Sequence, residues 1–221
     1  MEGATLWGYA HALLLAVWLL TDGVAFATTA RLKNDARSFE ARKTLLRRAT
    51  ALHVVPRICF ALTLLTGVEL TAAVNVYPVN PDLRTAGWVI SVGWLLAIAV
   101  GAVAQGKVLG ENLRVVELVF EAFAGLTFVA YGLNSLATGA PIDDPWFAAK
   151  LFLFGLVFWA AIAADIGFRP FYAPFNEIAH DGTTAEREES IGAAVNHALT
   201  AKAVLYLLLG IIAFIGWAQL F

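Results

Sequence analysis

Between Leu6 and Gly23 the chain reads Leu-Trp-Gly-Tyr-Ala-His-Ala-Leu-Leu-Leu-Ala-Val-Trp-Leu-Leu-Thr-Asp-Gly, an apolar run that carries a histidine and an aspartate. As a helix this run is long enough to enter a hydrocarbon layer about 30 Å thick. At 3.6 residues per turn His11, Leu15, Trp18 and Asp22 fall on one stripe. Lipid does not accept an imidazole and a carboxylate, so this face must look into a helical bundle or at a cofactor. The run has no positive segment ahead of it and no Ala-x-Ala-like cleavage site behind it, so it is expected to be a retained span rather than a secretion signal.

Further runs of the same kind follow, and the chain has only 14% charged residues against about 25% in soluble proteins. The expected fold is all-α, a polytopic transmembrane bundle forming a single integral membrane domain over residues 1–221. Its six spans are read at about 4–30, 50–76, 87–109, 113–137, 146–168 and 196–220. The first connection holds Arg31, Lys33, Arg37, Arg42, Lys43, Arg47 and Arg48, whereas the connections near 77–86 and 138–145 hold only Arg84. The positive-inside rule then puts the basic first loop in the cytoplasm and both termini on the outer, periplasmic side of a bacterial inner membrane. The segments around Pro78–Asp82 and Pro141–Pro145 have turn chemistry, and the acidic stretch 181–190 reads as a polar, mobile connection.

With this topology the polar residues fall into two layers. Asp22, His53, Arg57, Glu117, Glu121, Asp165, His197 and Lys202 lie in the inner third of their spans, and His11, Glu69, Asn75, Asn134 and Lys150 toward the outer side. Acids and bases in the inner layer can neutralise one another where helices pack, or Asp22, Glu117, Glu121 and Asp165 can serve as a proton relay. His53 and His197 on different helices are candidates for a second haem or a metal ion, with Arg57 beside the first of them. The lone Cys59 offers neither a disulfide nor a thiolate metal site, and no nucleotide-binding glycine pattern or Ser-His-Asp order is present. A net charge of −2 with loop-clustered bases gives no reason to expect nucleic acid as a partner. The small-xxx-small spacing Gly106–Gly110 is the one sequence hint of a homo-oligomer.

The spacing from His11 to Trp18, the Arg47-Arg48 pair followed by Pro56 and Gly67, and Trp146-Phe-Ala-Ala-Lys150-Leu151 together resemble the HemJ-type protoporphyrinogen IX oxidases. The resemblance implies a four-helix core from the first, second, fifth and sixth spans, with the hairpin of the third and fourth inserted. It implies b-type haem, with His11 as an axial iron ligand, Trp18 near the macrocycle, and Lys150 as a functional positive charge near a propionate. His11 and Lys150 would then be the catalytic pair. The sequence departs from that pattern in the inserted hairpin, the extra histidines and Asn196-His197, and no methionine beyond Met1 could act as a thioether ligand.

The expectation is a haem b redox protein that passes electrons from a reduced substrate, such as a porphyrinogen, or a redox partner to quinone. Phe152, Phe154, Phe158 and Trp159 are candidates to line the pocket. A proton- or cation-coupled transporter built on the inner layer is the rival reading, and a membrane anchor relaying electrons for a soluble oxidoreductase the third.

Overall fold

The computed structural model describes residues 2–218, with side chains from Gly3 onward, and contains helix but no strand among them. Eight α-helices follow one another: α1 (Glu2–Ala30), α2 (Phe39–Leu52), α3 (Val54–Val74), α4 (Pro81–Val103), α5 (Val108–Thr138), α6 (Pro145–Phe168), α7 (Tyr172–Asp181) and α8 (Ala185–Ala218). Short 3-10 turns at Arg31–Lys33 and Arg169–Phe171 join α1 to α2 and α6 to α7. The boundaries have local causes. Pro81 and Pro145 open α4 and α6, where a missing N–H costs nothing. The Asn80 side chain accepts the Leu83 N–H at 2.8 Å, and α3 stops where Asn75 turns left-handed.

Among the described residues five helical stretches are long and apolar enough to cross a membrane: Gly3–Lys33, Phe39–Val74, Pro81–Val103, Pro145–Asp181 and Ala185–Ala218. Helix α5, which covers the expected fourth span, is 31 residues long and is not among these five.

Two connections expected to be loops are largely helical. The basic segment after α1 forms α2, which turns Phe39, Leu45 and Leu46 inward and keeps Arg47 and Arg48 exposed. The acidic stretch 181–190 is mostly the start of α8, which begins at Ala185, ahead of the expected 196. Glu188 there is engaged by Arg42, so this stretch is tied down. Gly106 stands at φ 76° in the turn between α4 and α5, so the Gly106–Gly110 spacing marks that turn and not a helix face.

Contacts divide the chain into two compact units, Met1–Gly23 with Leu52–Phe120, and Val24–Ala51 with Glu121–Phe221. In the first unit α1 and α3 run antiparallel: His11 meets Thr66, Trp18 packs on Phe60 with ring centroids 4.8 Å apart, and Asp22 faces His53. Helices α3 and α4 form an antiparallel hairpin, with Gly87 against Val68 and Phe60 against Trp94. Trp94 continues to Phe120, so four rings fill the centre of this unit.

In the second unit α5 and α6 approach closely because Gly125, Gly132 and Gly155 carry no side chain. A Cβ on Gly155 would stand 2.6 Å from the Val129 nitrogen and 2.8 Å from the Gly125 carbonyl oxygen. Helices α6 and α8 pair extensively, with Gly167 taking the His197 Cβ and Gly216 the end of Lys150. A separate apolar core gathers Leu32, Phe171, Phe175, Ile191, Ala194 and Val195, with Phe39, Leu45 and Leu46 packed on it. Within it the buried Arg42 donates to the Leu32 carbonyl at 2.9 Å and to Glu188 at 2.7 Å, with its guanidinium 5.6 Å over the Phe175 ring.

Candidate functional site

His11 is held on α1 by α3. Its Nδ1 lies 2.9 Å from Thr66 Oγ1, and its Cε1 faces Gly67, where an added Cβ would come within 3.6 Å. The Thr66 hydroxyl has a single hydrogen, and it donates that hydrogen along its own helix to the Leu62 carbonyl at 2.9 Å. With its hydrogen on that carbonyl, Thr66 meets the imidazole with a lone pair and Nδ1 supplies the N–H; the opposite arrangement belongs to the other tautomer of the ring. With Thr66 as acceptor, the lone pair of the ring sits on Nε2. That is the form an imidazole needs to bind a metal through Nε2 while a hydrogen bond at Nδ1 fixes its orientation. The donor chemistry at His11 therefore suits an axial iron ligand. Thr66 was not visible as a site residue in the sequence, because a threonine in an apolar run has no signature of its own.

Trp18, one stripe along from His11, is 2% exposed and stacked into the ring column with Phe60. Three residues beyond Thr66, Glu69 is 1% exposed and fully engaged. It accepts Arg84 Nε at 2.7 Å, Arg84 Nη2 at 2.5 Å and Trp88 Nε1 at 2.8 Å. Arg84, expected in an outer turn, belongs to the first turns of α4, and its bidentate fork fastens α4 to α3 just beyond Thr66.

Toward the other end of the same unit, several expected inner-layer residues do come together. Asp22 has no exposed surface, and its Oδ1 lies 3.7 Å from His53 Nδ1, whose side chain is 37% exposed. His53 stands in the one-residue break between α2 and α3. One turn along α3, Arg57 bonds Glu117, which also accepts Arg114 Nη1 at 2.8 Å. Glu117 Oε1 and Arg57 Nε are buried without a hydrogen-bond partner among the described residues.

The remaining candidates lie in the second unit. Lys150 sits on α6 with its Nζ against Gly216, and no hydrogen bond or ion pair joins it to a described residue. His197 is exposed on α8 beside Gly167. Asp165 accepts Arg169 Nη2 at 3.4 Å, Glu121 is 2% exposed, and neither they nor Lys202 are without a partner. Phe154 and Phe158 pack edge-on with each other and both contact Phe128, while Trp159 is exposed. His11, His53 and Arg57 thus belong to one unit, and Lys150 and His197 to the other.

No group of three or more His, Cys, Asp or Glu side chains suited to a metal ion lies among the described residues. An iron held in a porphyrin asks the protein for only one or two ligands, which a single imidazole can begin to supply. No family model, no curated protein and no solved structure matches this chain.

Proposed function

We propose that this is an integral membrane redox protein that binds haem b through His11 Nε2, with α5 completing a six-span bundle. The observation that carries the reading is the hydrogen bond between His11 Nδ1 and Thr66 Oγ1 at 2.9 Å, which orients an imidazole within an apolar helix pair and, with Thr66 as acceptor, puts the ring lone pair on Nε2. Bound there, haem b would supply a one-electron couple, suited to passing electrons from a porphyrinogen or another reduced donor toward quinone. Thr66 would keep the ring from rotating and raise its basicity, and Gly67 leaves room beside Cε1. Trp18, Phe60 and Trp94 keep water out of the helix pair. Lys150, a cation without an ion-pair partner among the described residues, gives the second unit a positive charge for an anionic group, the role the resemblance assigns to it. The absorption spectrum of the purified protein tests this. A Soret band with an α-band that sharpens on dithionite reduction and relaxes on adding a quinone is expected, and a colourless protein from haem-replete cells would overturn it.

A second reading has its own observation. Asp22 is wholly buried and faces the half-exposed His53, so an imidazole stands between that carboxylate and solvent. This is the arrangement of a proton entry point in a proton-coupled transporter. In proteoliposomes carrying a pH-sensitive dye, wild type would then conduct protons and Asp22→Asn would not. Equal rates from both proteins, or none above empty vesicles, would end this reading.

A further inference from the structure

The stretch 31–48 carries seven basic residues, and the structure divides them by task. Arg42 is buried and spent on Leu32 and Glu188, Lys33 donates to Asn196 at 2.9 Å, and Lys43 lies near Glu40. The other four, Arg31, Arg37, Arg47 and Arg48, are exposed, and no described residue offers any of their side chains a hydrogen bond or an ion pair. Asp35 lies among these arginines without pairing to any of them, and three acids of the same unit are engaged by other bases. Glu188 is held by Arg42, and Glu177 and Asp181 by Arg187.

Chain continuity sets the level of these arginines. Arg31 directly follows α1, and Arg48 lies six positions ahead of the first residue of α3, about 9 Å along a helix. Both ends of the basic stretch are therefore tethered next to apolar helices, within the depth of the headgroup zone flanking the hydrocarbon. Helix α2 has its apolar side, Phe39, Leu45 and Leu46, committed to the core around Phe175, so the side bearing Arg47 and Arg48 is the one left outward.

We propose that Arg31, Arg37, Arg47 and Arg48 form a docking surface for the phosphate headgroups of anionic phospholipids. Guanidinium forks match phosphate oxygens two by two, and positive residues beside a span gain affinity from an anionic leaflet at roughly fivefold each. The inference needs only that the apolar helices lie in a bilayer, and it stands whether or not the protein binds haem.

The test uses the full-length protein in neutral detergent, titrated with dioleoyl-phosphatidylglycerol or dioleoyl-phosphatidylcholine and read by native mass spectrometry. Phosphatidylglycerol is expected to be retained at least tenfold more tightly than phosphatidylcholine. Exchanging both Arg47 and Arg48 for alanine is expected to cut its affinity roughly 30-fold. Lys107→Ala, at an exposed base in the α4–α5 turn, is expected to leave it unchanged. The exchanged side chains are exposed and unbonded, and an unchanged melting temperature checks that the fold survives. Equal retention of the two lipids would overturn the proposal, because the arginines would then serve topology alone. So would a double variant that binds like wild type, or full competition by millimolar inorganic phosphate, which would mark a site for the free anion.

Discussion

Removing Arg84 should cost more than removing the carboxylate it serves. Glu69 is 1% exposed and accepts three hydrogen bonds, two from Arg84 and one from Trp88, whereas the Arg84 side chain is 54% exposed. In Arg84→Ala the carboxylate stays behind with a single donor, Trp88. Because the guanidinium is half exposed, water takes its place, and the loss of two charge-assisted bonds costs about 2–3 kcal/mol in place of the larger figure for a fully buried pair. In Glu69→Gln the amide keeps the volume and still accepts one bond, while the half-exposed guanidinium returns to solvent. That change should cost about 1–2 kcal/mol. The double variant should be more stable than Arg84→Ala alone, because it no longer leaves a carboxylate without its two Arg84 donors. Equilibrium unfolding in mixed micelles, titrated with the mole fraction of dodecyl sulfate, gives the three free energies. If Glu69→Gln proves as costly as Arg84→Ala, or the two losses simply add, the carboxylate is not buried and paired as described.

Other expectations follow from single positions. Gly155→Ala places a Cβ 2.6 Å from the Val129 nitrogen and should destabilise by about 1–3 kcal/mol, whereas Gly93→Ala meets nothing within 4 Å and should be neutral or gain about 0.5–1 kcal/mol in the same unfolding assay. Arg42→Met keeps the stem over Phe175 but strands Glu188 and the Leu32 carbonyl. Limited proteolysis near residues 34–38 and 182–184 should quicken severalfold, while the apolar helices remain intact. Thr66→Val removes the acceptor at His11 Nδ1 without changing volume. Haem affinity, followed by transfer to apomyoglobin, should fall about 10–100-fold, and an unchanged transfer rate would count against Thr66 as the residue that orients the ring.

Much of the fold could be read from apolar run length and from the turn chemistry at Pro145, where α6 starts; Pro81, read as part of a turn, instead opens α4 six residues ahead of the expected 87. Helix α2 was hidden because five of its fourteen residues are charged, and one of these, Arg42, occupies the inward face where an apolar residue would have revealed the pattern. The early start of α8 was hidden for the same reason, with Glu186, Arg187, Glu188 and Glu189 reading as loop. Among the candidate residues, the shared depth of Asp22, His53, Arg57 and Glu117 could be read ahead, but not that His53 meets Asp22 in place of His197, nor that Arg57 meets Glu117. What could not be foreseen was their register. A helix pair slides by a turn with little change in pattern, so neither Thr66 opposite His11 nor Arg84 opposite Glu69 follows from composition.

The central claim is that the His11 imidazole holds iron. The direct measurement is the haem content per polypeptide, by the pyridine haemochrome method, of wild type, His11→Ala and His53→Ala purified from cells fed 5-aminolevulinate. Wild type and His53→Ala should both carry haem near one per chain, and His11→Ala should carry almost none while keeping its helical circular dichroism. Full haem in His11→Ala, with loss in His53→Ala, would contradict the account.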